Sequence, residues 1–194
     1  MKLAIFASGT GSNARALIQA AKQGVLGGEV VAVVSDRPKA DVLQMAASYD
    51  IPAYGFSPRT FQSKTAYEQA VLERLQAVAV DFILLAGYMR LVGPTLLAHY
   101  EGRIVNIHPS LLPNFPGLDA VGQALRAGVQ ETGVTIHYVD AGMDTGPVIM
   151  QQTVPIDRED THETLTKKIK AVEHALYPTC IQQLLMTDQA EVKR

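Results

Sequence analysis

The chain has 194 residues, 47% of them hydrophobic and 19% charged, with 17 Lys and Arg against 19 Asp and Glu for a net charge of −2. A length of this order suits one domain with a substantial core, and the near-neutral balance, with a pI near 6.2, argues against a disordered chain and against a nucleic-acid-binding surface. The single cysteine, Cys180, excludes an internal disulfide framework, and neither it nor the five histidines show zinc-ligand spacing, so a reducing cytoplasm and no metal are expected.

The opening "MKLAIFASGTG" carries one Lys and an apolar run that glycines interrupt too soon for a signal-peptide core. No stretch approaches the roughly 18 apolar residues of a membrane helix. The expectation is a soluble protein with no membrane partner.

In chain order, "KLAIFA" reads as a buried strand, "ARALIQAAKQG" as a helix with Ala14, Leu17, Ile18 and Ala21 on one face, and "EVVAVVS" as a second strand. A helix from Asp41 to Tyr49, a short strand near Ala53 and a helix with Tyr67, Ala70, Val71 and Leu75 on one side follow. "DFILLAG" and "RIVNIH" are two further buried strands. Continuous apolar runs separated by helices predict a Rossmann-like α/β fold, its mostly parallel sheet flanked by helices.

Beyond Gly128, "ETGVTIHYVD" and "GPVIMQQTVPI" are joined by the turn-like "AGMDTG", which predicts antiparallel strands added in the C-terminal half. A long helix closes the chain, with Asp160 and Glu163 spaced as a capping box and Pro178 expected to break or kink it near Tyr177. No linker or repeat interrupts residues 1–194, which read as a single domain.

"ASGTGSNA" follows the first strand and opens the first helix, so Gly9, Gly11 and Ala14 match a loop that brings phosphate to a helix N-terminus. Asp36, at the end of the second strand, would complete a dinucleotide site by taking a ribose hydroxyl. The physics specifies only a phosphate, to which Ser12 and Asn13 add polar groups. Without a ligand, the same stretch is a strand-to-helix turn with Asn13 as N-cap.

Strand alternation puts Asn106 and His108 on one face, with Val105 and Ile107 on the other. A buried strand end carrying an amide and an imidazole points to the crevice beyond the carboxyl ends of the strands, where open α/β sheets bind ligands. An amide N–H holds a developing oxyanion and an imidazole donates a proton. The missing carboxylate could come from Asp144, with Asp140 its local competitor; a satisfied core histidine is the structural alternative. Ser110 lies near His108, but no G-x-S-x-G elbow supports a hydrolase. His162 lacks the second histidine of H-E-x-x-H, and His137 reads as structural.

Taken together, "GTGSN" at 9–13, "LAGYMRLV" at 85–92, "NIHPSLLPNFPG" at 106–117, "DAGMDTGPVI" at 140–149 and "EHALYP" at 173–178 resemble the phosphoribosylglycinamide formyltransferases, the folate-dependent formyltransferases of purine synthesis. The resemblance spans nearly the whole chain. It implies a nucleotide- and phosphate-binding half over about 1–100 and a catalytic and folate-binding half over about 101–194. The implied reaction carries the formyl group of 10-formyltetrahydrofolate, a co-substrate, to the amine of glycinamide ribonucleotide without a metal. His108 is then the proton donor, Asn106 the oxyanion stabiliser and Asp144 the group that favours the protonated imidazole.

Gly11, Ser12, Asn13, Lys170 and Glu173 would contact the ribonucleotide. Lys64, Met89, Arg90, Leu91, Val92, Asn106, Asp140, Ala141, Gly142, Met143 and Asp144 would contact the folate. The chain departs from the resemblance at "LDAVGQ", which puts Asp119 and Val121 where histidine and threonine are expected. Formyltetrahydrofolate hydrolase, on the same motifs, and a dinucleotide-dependent oxidoreductase using Gly9, Gly11 and Asp36 are the alternatives. The partners implied are small molecules, without nucleic acid or membrane, and a homodimer is possible.

Overall fold

The computed structural model describes residues 1–192. Every apolar run read as a strand forms one: β1 (Lys2–Phe6), β2 (Glu29–Ser35), β3 (Ala53–Gly55), β4 (Phe82–Leu85), β5 (Ile104–His108), β6 (Glu131–Tyr138) and β7 (Val148–Pro155). They build a seven-stranded sheet in the order β3-β2-β1-β4-β5-β6-β7. The pairs among β1 to β5 are parallel, and β6 and β7 are antiparallel additions at one edge.

Among the described residues, six α-helices flank the sheet: α1 (Ser12–Lys22), α2 (Asp41–Ala47), α3 (Lys64–Ala77), α4 (Pro94–His99), α5 (Ala120–Ala127) and α6 (His162–Val192). Alternation along β1 explains why its apolar run has no gaps. Leu3 and Ile5 pack in one layer with Leu17 and Ile18 of α1 and Ile181 and Leu185 of α6. Ala4 and Phe6 pack in the other with Tyr67, Val71 and Leu75 of α3 and Leu96 of α4. Both faces of the strand are buried, as a parallel sheet requires.

The chain winds from β1 through β2 to β3, then crosses back so that β4 lies on the other side of β1. Strand order reverses at β1 and β4, and a crevice opens beyond their carboxyl ends. Tyr177 of α6 pins the floor of that region: its buried hydroxyl donates to the carbonyls of Leu85 and Val105, 3.1 Å from each.

Three local expectations are corrected. Pro178 lies inside α6 without ending it. The proline removes one helical hydrogen bond, but buried Tyr177, Cys180, Ile181 and Leu185 hold the helix against the sheet on both sides of it. The cap of α6 falls one residue later than Asp160 and Glu163. Thr161 Oγ1 accepts from the N–H of Thr164, Thr164 Oγ1 accepts from the N–H of Thr161, and Asp160 instead accepts from Asp157 N–H. Asp41 opens α2 as expected, but the helix stops at Ala47 rather than Tyr49.

No helix was expected at α4 or α5, which span 6 and 8 residues. Pro94 starts α4, where its missing N–H costs nothing. Asp119 caps α5 by accepting from Gly122 N–H, and Gly128, at φ +64°, ends it.

Candidate active site

A cavity of about 850 Å³ occupies the crevice, walled by the loop after β1, the segment after β4, the end of β5, the 140–144 loop and one face of α6. The structure brings Asn106, His108 and Asp144 together on this wall.

His108 is buried, with Nε2 2.9 Å from the carbonyl oxygen of Phe115. A carbonyl only accepts, so Nε2 carries a hydrogen and the chemistry of the ring is left to Nδ1. Nδ1 stands 3.4 Å from Asp144 Oδ2, which also accepts the N–H of Gly117 at 2.8 Å. Burial would raise the Asp144 carboxyl; the neighbouring His137 imidazole, the Gly117 N–H and the His108 ring outweigh it and hold the group below the ordinary carboxylate range. Asp144 is therefore a carboxylate that faces Nδ1 of the imidazole.

Phe115 and Asp144, the two residues that flank the ring, both occupy the left-handed region, at φ +55° and +56°. Such backbone is unfavourable for side chains of this kind and persists where surroundings enforce it. Around Phe115 those surroundings are the loop 109–116, stapled to the sheet. Thr135 Oγ1 donates to Ser110 O and accepts from Leu112 N–H, and Gln151 donates to Leu112 O. Ser110 is fully buried, with its hydroxyl turned to Asn114 O, so it supports the loop that carries Phe115.

Asp140 is not the partner of His108. Its Oδ1 accepts from Gly142 N–H and Thr145 Oγ1, which folds the 140–145 loop and delivers Asp144 to the imidazole. Gly146 closes that loop against the strand, for a Cβ there would lie 1.9 Å from Tyr138 O. Gly142 and Met143 line the cavity, whereas Ala141 is exposed outside it.

His137, read from the sequence as structural, packs beside the site. It lies opposite Asn106 in the β5–β6 register, 2% exposed, with Nε2 3.1 Å from Asn106 Nδ2. Its Nδ1 is 2.8 Å from Tyr138 O and so carries the hydrogen; with the ring neutral, Nε2 accepts from the amide, and with the ring protonated, Nε2–H faces Asp144 Oδ1 at 3.7 Å. That fixes which way the Asn106 amide points. One amide N–H serves His137, and the other N–H is the group left for the cavity.

At the other end of the cavity, Gly11 caps α1 at φ +77°, where a Cβ would sit 2.4 Å from Val42 Cγ2. Ser12 and Asn13 are the first helical residues, and their backbone amides have no intrahelical partner. Asn13 is not the N-cap. Its side chain is buried along α1, Nδ2 donates to Glu173 Oε2 at 2.9 Å, and Oδ1 is buried with no partner. The unpaired atom of Asn13 is thus an acceptor, which suits a hydroxyl donor rather than a phosphate oxygen. Burial pushes the Glu173 carboxyl up, against the Asn13 hydrogen bond and the charge of Lys170 beside it. Lys170 also lines the cavity.

Met89 and Leu91 are exposed large apolar side chains on the cavity wall, Val92 is buried, and the Arg90 guanidinium lies 5.6 Å from the centre of the Tyr67 ring. Lys64 is outside the wall, at the start of α3, with its chain against Gly93. Asp119 stands at the rim. It accepts from Arg126 at 3.1 Å and pairs with His162 at 2.9 Å, so the departure at 119 ties the starts of α5 and α6 together. Among the described residues, no group of three or more His, Cys, Asp or Glu side chains is arranged to hold a metal ion, and no helix is long and apolar enough to cross a membrane.

A family model described as formyl transferase matches residues 1–181. The chain belongs to the formyl transferase family. It is 51% identical to the phosphoribosylglycinamide formyltransferase of Bacillus subtilis (strain 168), over 95% of this chain and 94% of that one. The solved phosphoribosylglycinamide formyltransferase of Bacillus halodurans superposes with a TM-score of 0.93 at 58% identity, covering 95% of each chain. A formyltetrahydrofolate deformylase from Pseudomonas syringae pv. tomato superposes at 0.87, but at 27% identity and over 61% of its own chain.

In this formyl transferase, two groups at His108 were invisible to motif reading: the carbonyl of Phe115 and the amide of Gly117. Both are backbone atoms. His137 did carry a signal, since an antiparallel β6 beside β5 turns one alternate set of its side chains toward Asn106 and His108.

Proposed function

We propose that this formyl transferase carries the formyl group of 10-formyltetrahydrofolate to the primary amine of glycinamide ribonucleotide, in the cytoplasm. The observation that carries the reading is the convergence of the Asn106 amide, His108 Nδ1 and the Asp144 carboxylate on one wall, between a helix N-terminus suited to phosphate and the apolar segment Met89–Val92.

The phosphate meets the amides of Ser12 and Asn13 and the charge of Lys170, while Asn13 Oδ1 and Glu173 take hydroxyl donors of the ribose. The pterin lies against Met89, Leu91 and Val92. Holding the amine and the formyl carbon in contact supplies much of the acceleration without a covalent enzyme intermediate.

The amine nitrogen attacks the formyl carbon, and the oxyanion takes hydrogen bonds from the free Asn106 N–H and from His108 Nδ1–H. As the bond from carbon to the folate N10 breaks, N10 takes the Nδ1 proton, and the amine gives up one proton to Asp144 through water. His108 is then neutral with its hydrogen on Nε2, the tautomer that the Phe115 carbonyl holds. The reading needs small molecules alone as partners, and no residue from a second copy of the chain.

Product analysis with 10-formyltetrahydrofolate tests it. Tetrahydrofolate and formylated ribonucleotide forming only when both substrates are present is the expected result. Formate released without the ribonucleotide would make the chain a deformylase instead.

A further inference from the structure

Asp36 follows β2 beside the glycine loop, the place of a ribose ligand in a dinucleotide site, and formyl transfer as set out above gives it no task. Its observed partner is Ser8, the residue before Gly9. The Ser8 hydroxyl donates to Asp36 Oδ1 at 2.5 Å and accepts the backbone N–H of Met89 at 2.9 Å. Ser8 N–H also reaches Gly87 O at 3.0 Å.

A hydroxyl has one proton, and with that proton on Asp36 it is a lone pair that faces Met89. Met89 begins the exposed apolar segment of the cavity wall. The far end of that segment is held in the same manner, by buried Glu68, whose Oε1 accepts the N–H of Gly93 at 2.5 Å. Of the two anchors, Ser8 alone is continuous in sequence with the phosphate loop.

We infer that Asp36 and Ser8 are positioning residues for the folate-contacting segment: Asp36 orients the Ser8 hydroxyl, the hydroxyl fixes the Met89 backbone, and neither has to touch a substrate. The inference rests on the formyl-transfer reading and adds to it a link between the end of β2 and the pterin wall.

The test compares the wild-type protein with Ser8→Ala, Asp36→Ala and Asp36→Asn, by calorimetric titration with tetrahydrofolate and by the KM of each substrate. Losing the acceptor of Met89 N–H should weaken tetrahydrofolate binding and raise the KM for the formyl folate about fivefold to tenfold, the worth of one such hydrogen bond. The KM for the ribonucleotide and kcat should stay near wild type. Asp36→Asn keeps a carbonyl acceptor for Ser8 and should recover most of the affinity lost in Asp36→Ala.

Asp36 is only half-buried, so its variants decide the matter even where Ser8→Ala fails to fold. Unchanged folate affinity in Asp36→Ala, or a defect confined to the ribonucleotide KM, would overturn the inference alone. A wild-type protein that binds no tetrahydrofolate would sink the formyl-transfer reading together with it.

Discussion

The side-chain amide of Asn106 and the imidazole of His137 face each other across the β5–β6 register, 3.1 Å apart, and in the neutral ring the hydrogen bond of His137 Nδ1 to Tyr138 O makes its Nε2 the acceptor. The orientation of the Asn106 amide is therefore set from the neighbouring strand. His137→Ala should free the amide to flip and lower kcat about tenfold, short of the loss expected for an oxyanion donor itself. KM for both substrates should hardly move. A kcat at the wild-type level would mean that Asn106 is oriented by something else.

Asp144 links the site to acid stability. Its carboxyl is held below its ordinary range in the folded protein, so between that value and the unfolded value of about 3.9 the unfolded chain binds more protons. The stabilisation is complete above the unfolded value and is lost as pH falls through the folded one. Denaturant midpoints for wild type and Asp144→Asn should therefore keep a steady gap from about pH 7 down to about pH 5 and draw together below it, towards about pH 3. A constant gap across that range would contradict the assignment.

Glu173 has the opposite sign. Burial raises its carboxyl in the folded protein, so its contribution is complete below the unfolded value and declines as pH rises through the folded one. Glu173→Gln keeps an acceptor for Asn13 and removes the buried charge. At neutral pH its denaturant midpoint should rise, while its KM for the ribonucleotide increases severalfold through loss of a charged acceptor, an effect of about 1–2 kcal/mol in binding. A lower midpoint at neutral pH would show that the charge stabilises the fold.

Gly11 supports the phosphate end of the cavity through its conformation. An alanine there would adopt a left-handed φ costing about 1–2 kcal/mol, and its Cβ would meet Val42 Cγ2 at 2.4 Å. Gly11→Ala should lower thermal stability and raise the ribonucleotide KM, with a smaller effect on the folate KM. Equal effects on both KM values would place the damage in the sheet rather than at the start of α1.

The fold was legible because its signals are local and repeated. The gapless runs of β1, β4 and β5 report burial on both faces, and the turn between β6 and β7 reports their antiparallel pairing. The position of Asn106 and His108 on one face followed from alternation alone. Choosing Asp144 over Asp140 needed the resemblance, because spacing brings both to the same loop. What alternation along one strand withholds is register: Asn106 opposite His137 is a fact about two strands. Pro178 does not end the helix, a local rule outweighed by the burial of Tyr177, Ile181 and Leu185 around it. Asn13, the N-cap of the ligand-free alternative, is taken up instead by Glu173, distant in sequence.

The most direct test of the account is the turnover of His108→Ala, measured at saturating substrates beside calorimetric binding of the ribonucleotide and tetrahydrofolate. Removing the group that holds the oxyanion and protonates N10 should lower kcat about a hundredfold or more, while both ligands still bind and the protein still folds. A folded His108→Ala protein with near-normal kcat would show that the proton comes from elsewhere and that the Asn106, His108 and Asp144 wall is not where the formyl group is passed.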